Sequence, residues 1–182
     1  MQCQKVDALT MSLTFSIEKV RDVINELMPL WEAHWKETER YRHGHGFNVD
    51  VERYIKFNDI GDYYILYTAR DAGKLVGNFG AYLSRSMHTQ KLNATEDTLF
   101  LLPEYRRGFN SVNFVRFVEK DLISRGVNGE MSISVKSESV GRLCEFLGYK
   151  LVAYQYSKAV KSVKSVEEKS HVCIGSPTSA RL

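Results

Sequence analysis

The sequence predicts a single α/β (α+β) domain. It is built on a mixed, mostly antiparallel sheet with helices on both faces, in the order β-α-α-β-β-β-α-β-α-β. Three observations carry that prediction. Tyr63 to Leu83 reads as two strands about a short turn, Arg70-Asp71-Ala72-Gly73, which makes their pairing antiparallel. Residues 97–126 read as an apolar strand, a basic glycine-bearing turn and a helix. Met131-Ser132-Ile133-Ser134-Val135 then alternates strictly, so the helix before it is a crossover that sets two strands parallel.

In chain order, residues 1–11 have no pattern and count as an N-terminal extension, with the folded domain expected over 12–160. Leu13-Thr14-Phe15 is a short first strand. Ser16 offers an N-cap for a helix that carries Val20, Val23, Ile24 and Leu27 at helical spacing. Pro29 suits the start of a second helix running to about Tyr41. Trp31 and Trp35 share a face of that helix, as core or as the wall of a pocket. In the loop Arg42–Gly46, His43 and His45 have no carboxylate or thiol spaced to complete a metal site, so no metal is expected.

Asp50 caps a short helix, Val51 to Phe57. Gly77 and Gly80 inside the strand Lys74–Leu83 mark a bulge or a close approach of other atoms. Ser84 to Ala94 is a polar connection containing His88. After the alternating strand, Ser139 to Leu147 forms a short helix that Gly148 ends in the left-handed conformation. Tyr149 to Tyr156 is the final strand. Residues 161–182 have the composition of a polar tail.

Composition excludes several classes. Hydrophobic residues at 43% and charged residues at 26% describe an ordinary globular protein. No apolar run reaches about 18 residues, which argues against membrane partners. Cys3, Cys144 and Cys173 are odd in number and widely spaced, which fits reduced thiols and a cytoplasmic location. A net charge of +3 is too small to call for nucleic acid, and Glu167 and Glu168 interrupt the basic run of the tail. Ten tyrosines and nine phenylalanines point to an aromatic-lined cleft or an interface.

The centre of the chain carries the chemistry. Leu99-Phe100-Leu101-Leu102 is stopped by Pro103, and the turn Glu104-Tyr105-Arg106-Arg107-Gly108 leads into a helix with Val112, Val115, Val118 and Leu122 on one stripe. Strand, glycine turn and helix aim free backbone N–H groups at an anion. Arg106 and Arg107 stand where the helix dipole disfavours cations, a local conflict that a bound phosphate would reverse.

This order and this centre resemble the GNAT superfamily of N-acetyltransferases over roughly residues 12–160. Leu99-Phe-Leu-Leu-Pro-Glu-Tyr-Arg106 resembles the family's fourth strand and its acyl-CoA pyrophosphate loop. Lys74-Leu-Val-Gly77 resembles the start of its third strand, and Ser139 to Tyr149 its later helix. A His-bearing second helix, Leu-Val-Gly and a His before the fourth strand also resemble small acetyltransferase-like proteins of tailed phages. The loop departs from the family's Arg/Gln-x-x-Gly-x-Gly/Ala: Gly108 falls one place early, Phe109 takes a glycine's place, and Ser111 supplies the last small residue.

The resemblance implies acetyl-CoA as acyl donor, a primary amine as acceptor and no metal. It implies that Arg106, Arg107, Gly108, Asn110 and Ser111 hold the pyrophosphate, with Phe109 pointing away. A backbone N–H near Leu101 or Leu102 would hold the oxyanion. Asp97, or its neighbour Glu96, would be the general base, with His88 and His34 behind them. Cys144 stands where many members place a tyrosine as general acid, and Tyr149 and Tyr154 are further donors. The acceptor pocket would lie about Trp31 to Phe47. The alternative is a non-catalytic protein of the same fold acting in assembly, for example in a phage virion, with a homo-oligomer or a partner engaged through the tail.

Overall fold

The computed structural model describes residues 13–40, 46–61 and 63–156. The expectations for residues 1–11, for Cys3, Cys173, His43 and His45, and for 161–182 lie outside the described residues.

The elements are β1 (Thr14–Ile17), α1 (Val20–Thr38), α2 (Val51–Asp59), β2 (Tyr64–Asp71), β3 (Lys74–Arg85), β4 (Leu92–Leu101), a 3-10 turn (Pro103–Tyr105), α3 (Asn110–Ser124), β5 (Met131–Ser132) and α4 (Glu138–Phe146). The strands lie in the order β1-β2-β3-β4-β5, antiparallel throughout except for the parallel pair β4–β5. Helices cover both faces. Val20, Val23, Leu27, Leu30 and Trp31 of α1 pack with Tyr64, Leu66, Leu75 and Phe100 on one face. Phe114, Val118 and Leu122 of α3 pack with Ile65, Tyr67, Val76 and Phe79 on the other.

The hairpin between β2 and β3 is tighter than expected. Arg70 and Asp71 remain in the strand, and the turn is Ala72-Gly73 alone, with φ of 45° and 86°. Positive φ at both positions matches the right-handed twist of the flanking strands. Asp50 caps α2 as expected, accepting from the Arg53 amide at 3.1 Å.

Three expectations need correction. Pro29 does not begin a second helix but lies inside α1, which is continuous. The proline costs about 3 kcal/mol in a helix interior. The buried side chains Val20, Val23, Leu27, Leu30 and Trp31 gain about 1.5–3 kcal/mol each on burial, and together they exceed that cost. Ser16 does not cap α1 either. It lies in β1 and bonds Glu18, while Asn58 of α2 reaches across: its Oδ1 accepts from the Val20 amide at 2.9 Å and its Nδ2 donates to the Tyr64 carbonyl at 3.2 Å.

The third correction concerns the C-terminal strands. Only Met131–Ser132 of the alternating stretch is regular, and Tyr149–Tyr156 has no regular structure.

Candidate active site

β4 and β5 pair only at Ala94–Met131 and Thr95–Ser132. Beyond these residues the strands part, leaving one edge of β4 from Asp97 to Leu101 without a neighbouring strand among the described residues. β4 also carries a bulge. Gly80 of β3 faces Thr98 and Ala81 faces Glu96, so Asp97 is the extra residue. Gly80 is the residue this geometry requires, because a Cβ there would overlap the Tyr64 hydroxyl.

The bulge sends the two acidic candidates to different environments. Asp97 faces the α1–α2 side, where its Oδ2 accepts from the hydroxyls of Tyr54 at 3.0 Å and Tyr64 at 3.4 Å. Burial pushes its carboxyl above the ordinary carboxylate range, partly opposed by the two tyrosine hydrogen bonds. Glu96 lies on the α3 side beside Val115, Glu119 and Tyr149, and its Oε2 accepts from the Ser134 amide at 3.1 Å. Its carboxyl is also raised by burial.

The basic turn closes on itself and on α1. Asn110 Nδ2 donates to the Tyr105 carbonyl at 3.1 Å, and Arg107 Nε donates to the Glu104 carbonyl at 2.6 Å. Arg106 donates from Nε to the Leu101 carbonyl at 2.7 Å and holds both Glu37 carboxylate oxygens at 2.8 and 2.7 Å. Its guanidinium also lies 5.0 Å from the centre of the Phe100 ring. Arg106, expected from the sequence to contact a pyrophosphate, is thus held to β4 and to α1 beside the turn.

Gly108 takes φ of 61°. Among the described residues no side chain caps α3, and no acidic residue occupies its first turn. Ser111 stands in that first turn. Phe109 lies exposed, with its ring centre 6.2 Å from that of Phe146 in α4.

The two strand-end amides also differ. Leu102 N–H is committed to the Val76 carbonyl at 2.9 Å, so it is not available at the gap. By strand alternation Leu101 N–H faces the other way, on the side where its carbonyl meets Arg106.

Cys144 is a buried free thiol whose pKa is pushed up by burial and by nearby carboxylates, Glu96 foremost. Tyr149 is likewise raised, by burial and a hydrogen bond to Glu119. Tyr154 lies exposed, away from these groups. His88 is exposed in the β3–β4 turn, at the opposite end of β4 from Leu101. His34 is buried against Phe100, and burial brings its pKa down to about 4, so the ring is neutral at ordinary pH. Trp31 is core and packs at a tilt against Tyr54 with ring centres 4.6 Å apart, while Trp35 leans on Phe47.

Solved structures of known proteins share this architecture. An aminoglycoside acetyltransferase from an uncultured soil metagenomic sample superposes with a TM-score of 0.66 at 16% identity, covering 83% of this chain and 100% of that one. AAC(6')-Iy, in complex with the bisubstrate analogue CoA-S-monomethyl-acetylneamine, gives 0.64 at 13% identity, covering 83% and 99%. A GNAT family acetyltransferase of Staphylococcus aureus gives 0.60 at 14%, covering 82% and 100%. The fold is the GNAT fold. By sequence, no protein-family model and no curated protein matches.

On this GNAT fold, sequence reasoning missed the groups that surround the candidate residues. Tyr54 and Tyr64 lie 43 and 33 positions from Asp97, and Glu37 lies 69 from Arg106. The one available signal was Gly80, which marked a close approach without naming the tyrosine that makes it.

Proposed function

We propose that the protein is an acetyl-CoA-dependent N-acetyltransferase that moves an acetyl group from the thioester to a primary amine by direct attack. The observation that carries this reading is the parting of β4 from β5 beside an uncapped, acid-free helix N-terminus. A thioester arm fits a slot with an unpaired strand edge, and a pyrophosphate fits free helix amides next to arginines. Among the structural neighbours, AAC(6')-Iy was solved with a CoA-linked amine and another acetyltransferase with sisomicin, which supports an amine as the acceptor class here.

In this reading the amides from Gly108 to Val112 and the Arg107 charge hold the pyrophosphate, with Asn110 and Ser111 shaping the turn. Arg106, bound to Leu101 and Glu37, holds the turn against α1. Asp97 takes a proton from the acceptor ammonium, and the neutral amine attacks the thioester carbonyl. The Leu101 N–H donates to the oxyanion. The carbon–sulfur bond then breaks, and the second proton of the acceptor nitrogen passes by way of the Cys144 thiol, which its surroundings keep protonated, to the departing thiolate, leaving the neutral amide and the CoA thiol. Glu96 secures the start of the gap through Ser134.

A second reading, a non-catalytic protein of this fold serving in assembly, is favoured by one observation. The Arg106 guanidinium is already satisfied by Glu37 and Leu101. Calorimetric titration of acetyl-CoA separates the two. Binding with a Kd between about 1 μM and 1 mM, weakened at least tenfold by Arg107→Glu, is expected of the enzyme. No heat at saturating ligand would leave the assembly reading.

A further inference from the structure

The α1 side of the sheet buries a row of polar side chains that ends at Asp97. Asn78 on β3, Thr98 on β4 and Tyr64 on β2 are 0%, 8% and 0% exposed. Asn78 Nδ2 donates to Thr98 Oγ1 at 2.7 Å. The Thr98 hydroxyl, accepting there, spends its own proton on the Tyr64 hydroxyl. The two hydroxyls meet in the space that a Cβ at Gly80 would fill. Tyr64 then donates to Asp97 Oδ2 at 3.4 Å. Every donor in the row points toward the carboxylate.

Stability does not call for this row. Asn78 stands in register between Thr68 of β2 and Phe100 of β4, and its Oδ1 has no partner among the described residues. A buried acceptor left unmet is costly, and an apolar side chain of similar size would leave none. Such orphans are uncommon, and broken rules of this kind collect at functional sites. The far end of the row carries an independent sign. The hydroxyls of Tyr54 and Tyr64 both meet Oδ2, and among the described residues Asp97 Oδ1 meets no donor. Two donors from different elements on one oxygen fix the rotation of the carboxyl group.

We propose that Asn78 and Thr98 are positioning residues for Asp97, acting through Tyr64 to hold Oδ2 in place and leave Oδ1 to take the proton of the acceptor ammonium. The proposal rests on the acetyl transfer argued above and names residues that prepare its base. A hydrogen bond donated to a carboxylate favours the charged form. The Tyr64 bond therefore opposes the burial that pushes the Asp97 carboxyl up, and weakening it lets the carboxyl rise further. The other titratable groups near Asp97 lie outside the row: Tyr54 on α2, Tyr82 on β3, Glu96 on β4, Glu39 at the end of α1 and Lys136 beyond β5.

Carbon NMR of the full chain over a pH series, following the carboxyl signal that Asp97→Asn removes, tests this. Thr98→Val keeps the side chain's shape without its hydroxyl, and Asn78→Val removes the amide at the head of the row. Each should raise the Asp97 midpoint by about half a pH unit or more, while Thr98→Ser should keep the wild-type value. Added to Tyr64→Phe, Thr98→Val should shift nothing further. An unmoved midpoint in Thr98→Val overturns the inference, and so does a shift that Thr98→Ser shares or that persists beside Tyr64→Phe. Calorimetry with acetyl-CoA on the wild type separates the two claims. The expected shifts in a protein that binds no acetyl-CoA would sink the acetyl transfer and keep the positioning of Oδ2. An unmoved midpoint in a protein that binds it would sink the positioning alone.

Discussion

From β1 to β4 the sheet is laddered over long registers, Thr14–Ile17 against Tyr67–Arg70 and Gly77–Arg85 against Leu92–Leu101, whereas β4 and β5 meet at two residues each. The first region is also tied by charge. Arg70 grips Glu18 at 2.8 and 2.9 Å and Glu26 at 2.9 and 3.0 Å, joining β2 to the segment after β1 and to α1. The second region holds the unpaired strand edge, the positive-φ turn and the uncapped helix. The closed half supplies rigidity, and the open half is left, among the described residues, with unmet hydrogen-bonding groups. Asp97 stands at the join, on the last strand of the closed half and beside the gap.

The sharpest way to break this division is at that join. Asp97→Asn keeps a carbonyl oxygen for Tyr54 and Tyr64 but cannot accept a proton from an ammonium. Acetyl transfer, followed by CoA release, should fall about 10²–10⁴-fold while the melting temperature moves little. A loss of fold instead would make Asp97 part of the closed scaffold.

Glu18→Gln should do the opposite. The Arg70 hydrogen bonds hold the Glu18 carboxyl down to about 2 from its ordinary 4.5. A depressed pKa contributes stability that is present above the ordinary value and lost as pH falls from 4.5 toward 2. Both side chains are about one-fifth exposed, so a cost of about 2 kcal/mol, between an exposed and a buried pair, is expected. Thermal melts across an acidic pH series should show the wild type converging on the variant as the pH drops. Acetyl transfer per folded molecule at neutral pH should be unchanged.

Gly80→Ala sharpens the comparison because it touches both halves at once. The new methyl would displace the Tyr64 hydroxyl and with it a partner of Asp97, costing about 1–3 kcal/mol and lowering activity together. The smallest effect belongs to Gly108→Ala. There is room for the methyl, but a φ of 61° costs an L-residue about 1–2 kcal/mol. Calorimetry should show acetyl-CoA binding weakened several-fold, with a slight fall in melting temperature.

The closed half was the more legible in the sequence because its signals are local. The β2–β3 turn, the Asp50 cap and the apolar stripe of α3 all act within a few residues of themselves. Pro29 misled because its cost is local while the burial that offsets it lies across the sheet. Ser16 misled because the cap of α1 comes from Asn58, 38 residues away. In the open half, strands were expected at 131–135, from alternation, and at 149–156, but alternation specifies a face and not a neighbour. The candidate site was legible as a turn and a carboxylate, and illegible as the tyrosines, the bulge and the Glu37 pair that set their geometry.

Asn58 has a kinetic consequence for the amine's path. The helix that brings Tyr54 to Asp97 is the same helix whose Asn58 closes the start of α1 and bonds β2. α2 cannot swing outward as a lid without uncapping α1, so opening by helix motion on the microsecond-to-millisecond scale is disfavoured. In the proposed acetyl transfer, access to Asp97 then falls to rotation of the half-buried Tyr54 ring, a gate of one side chain.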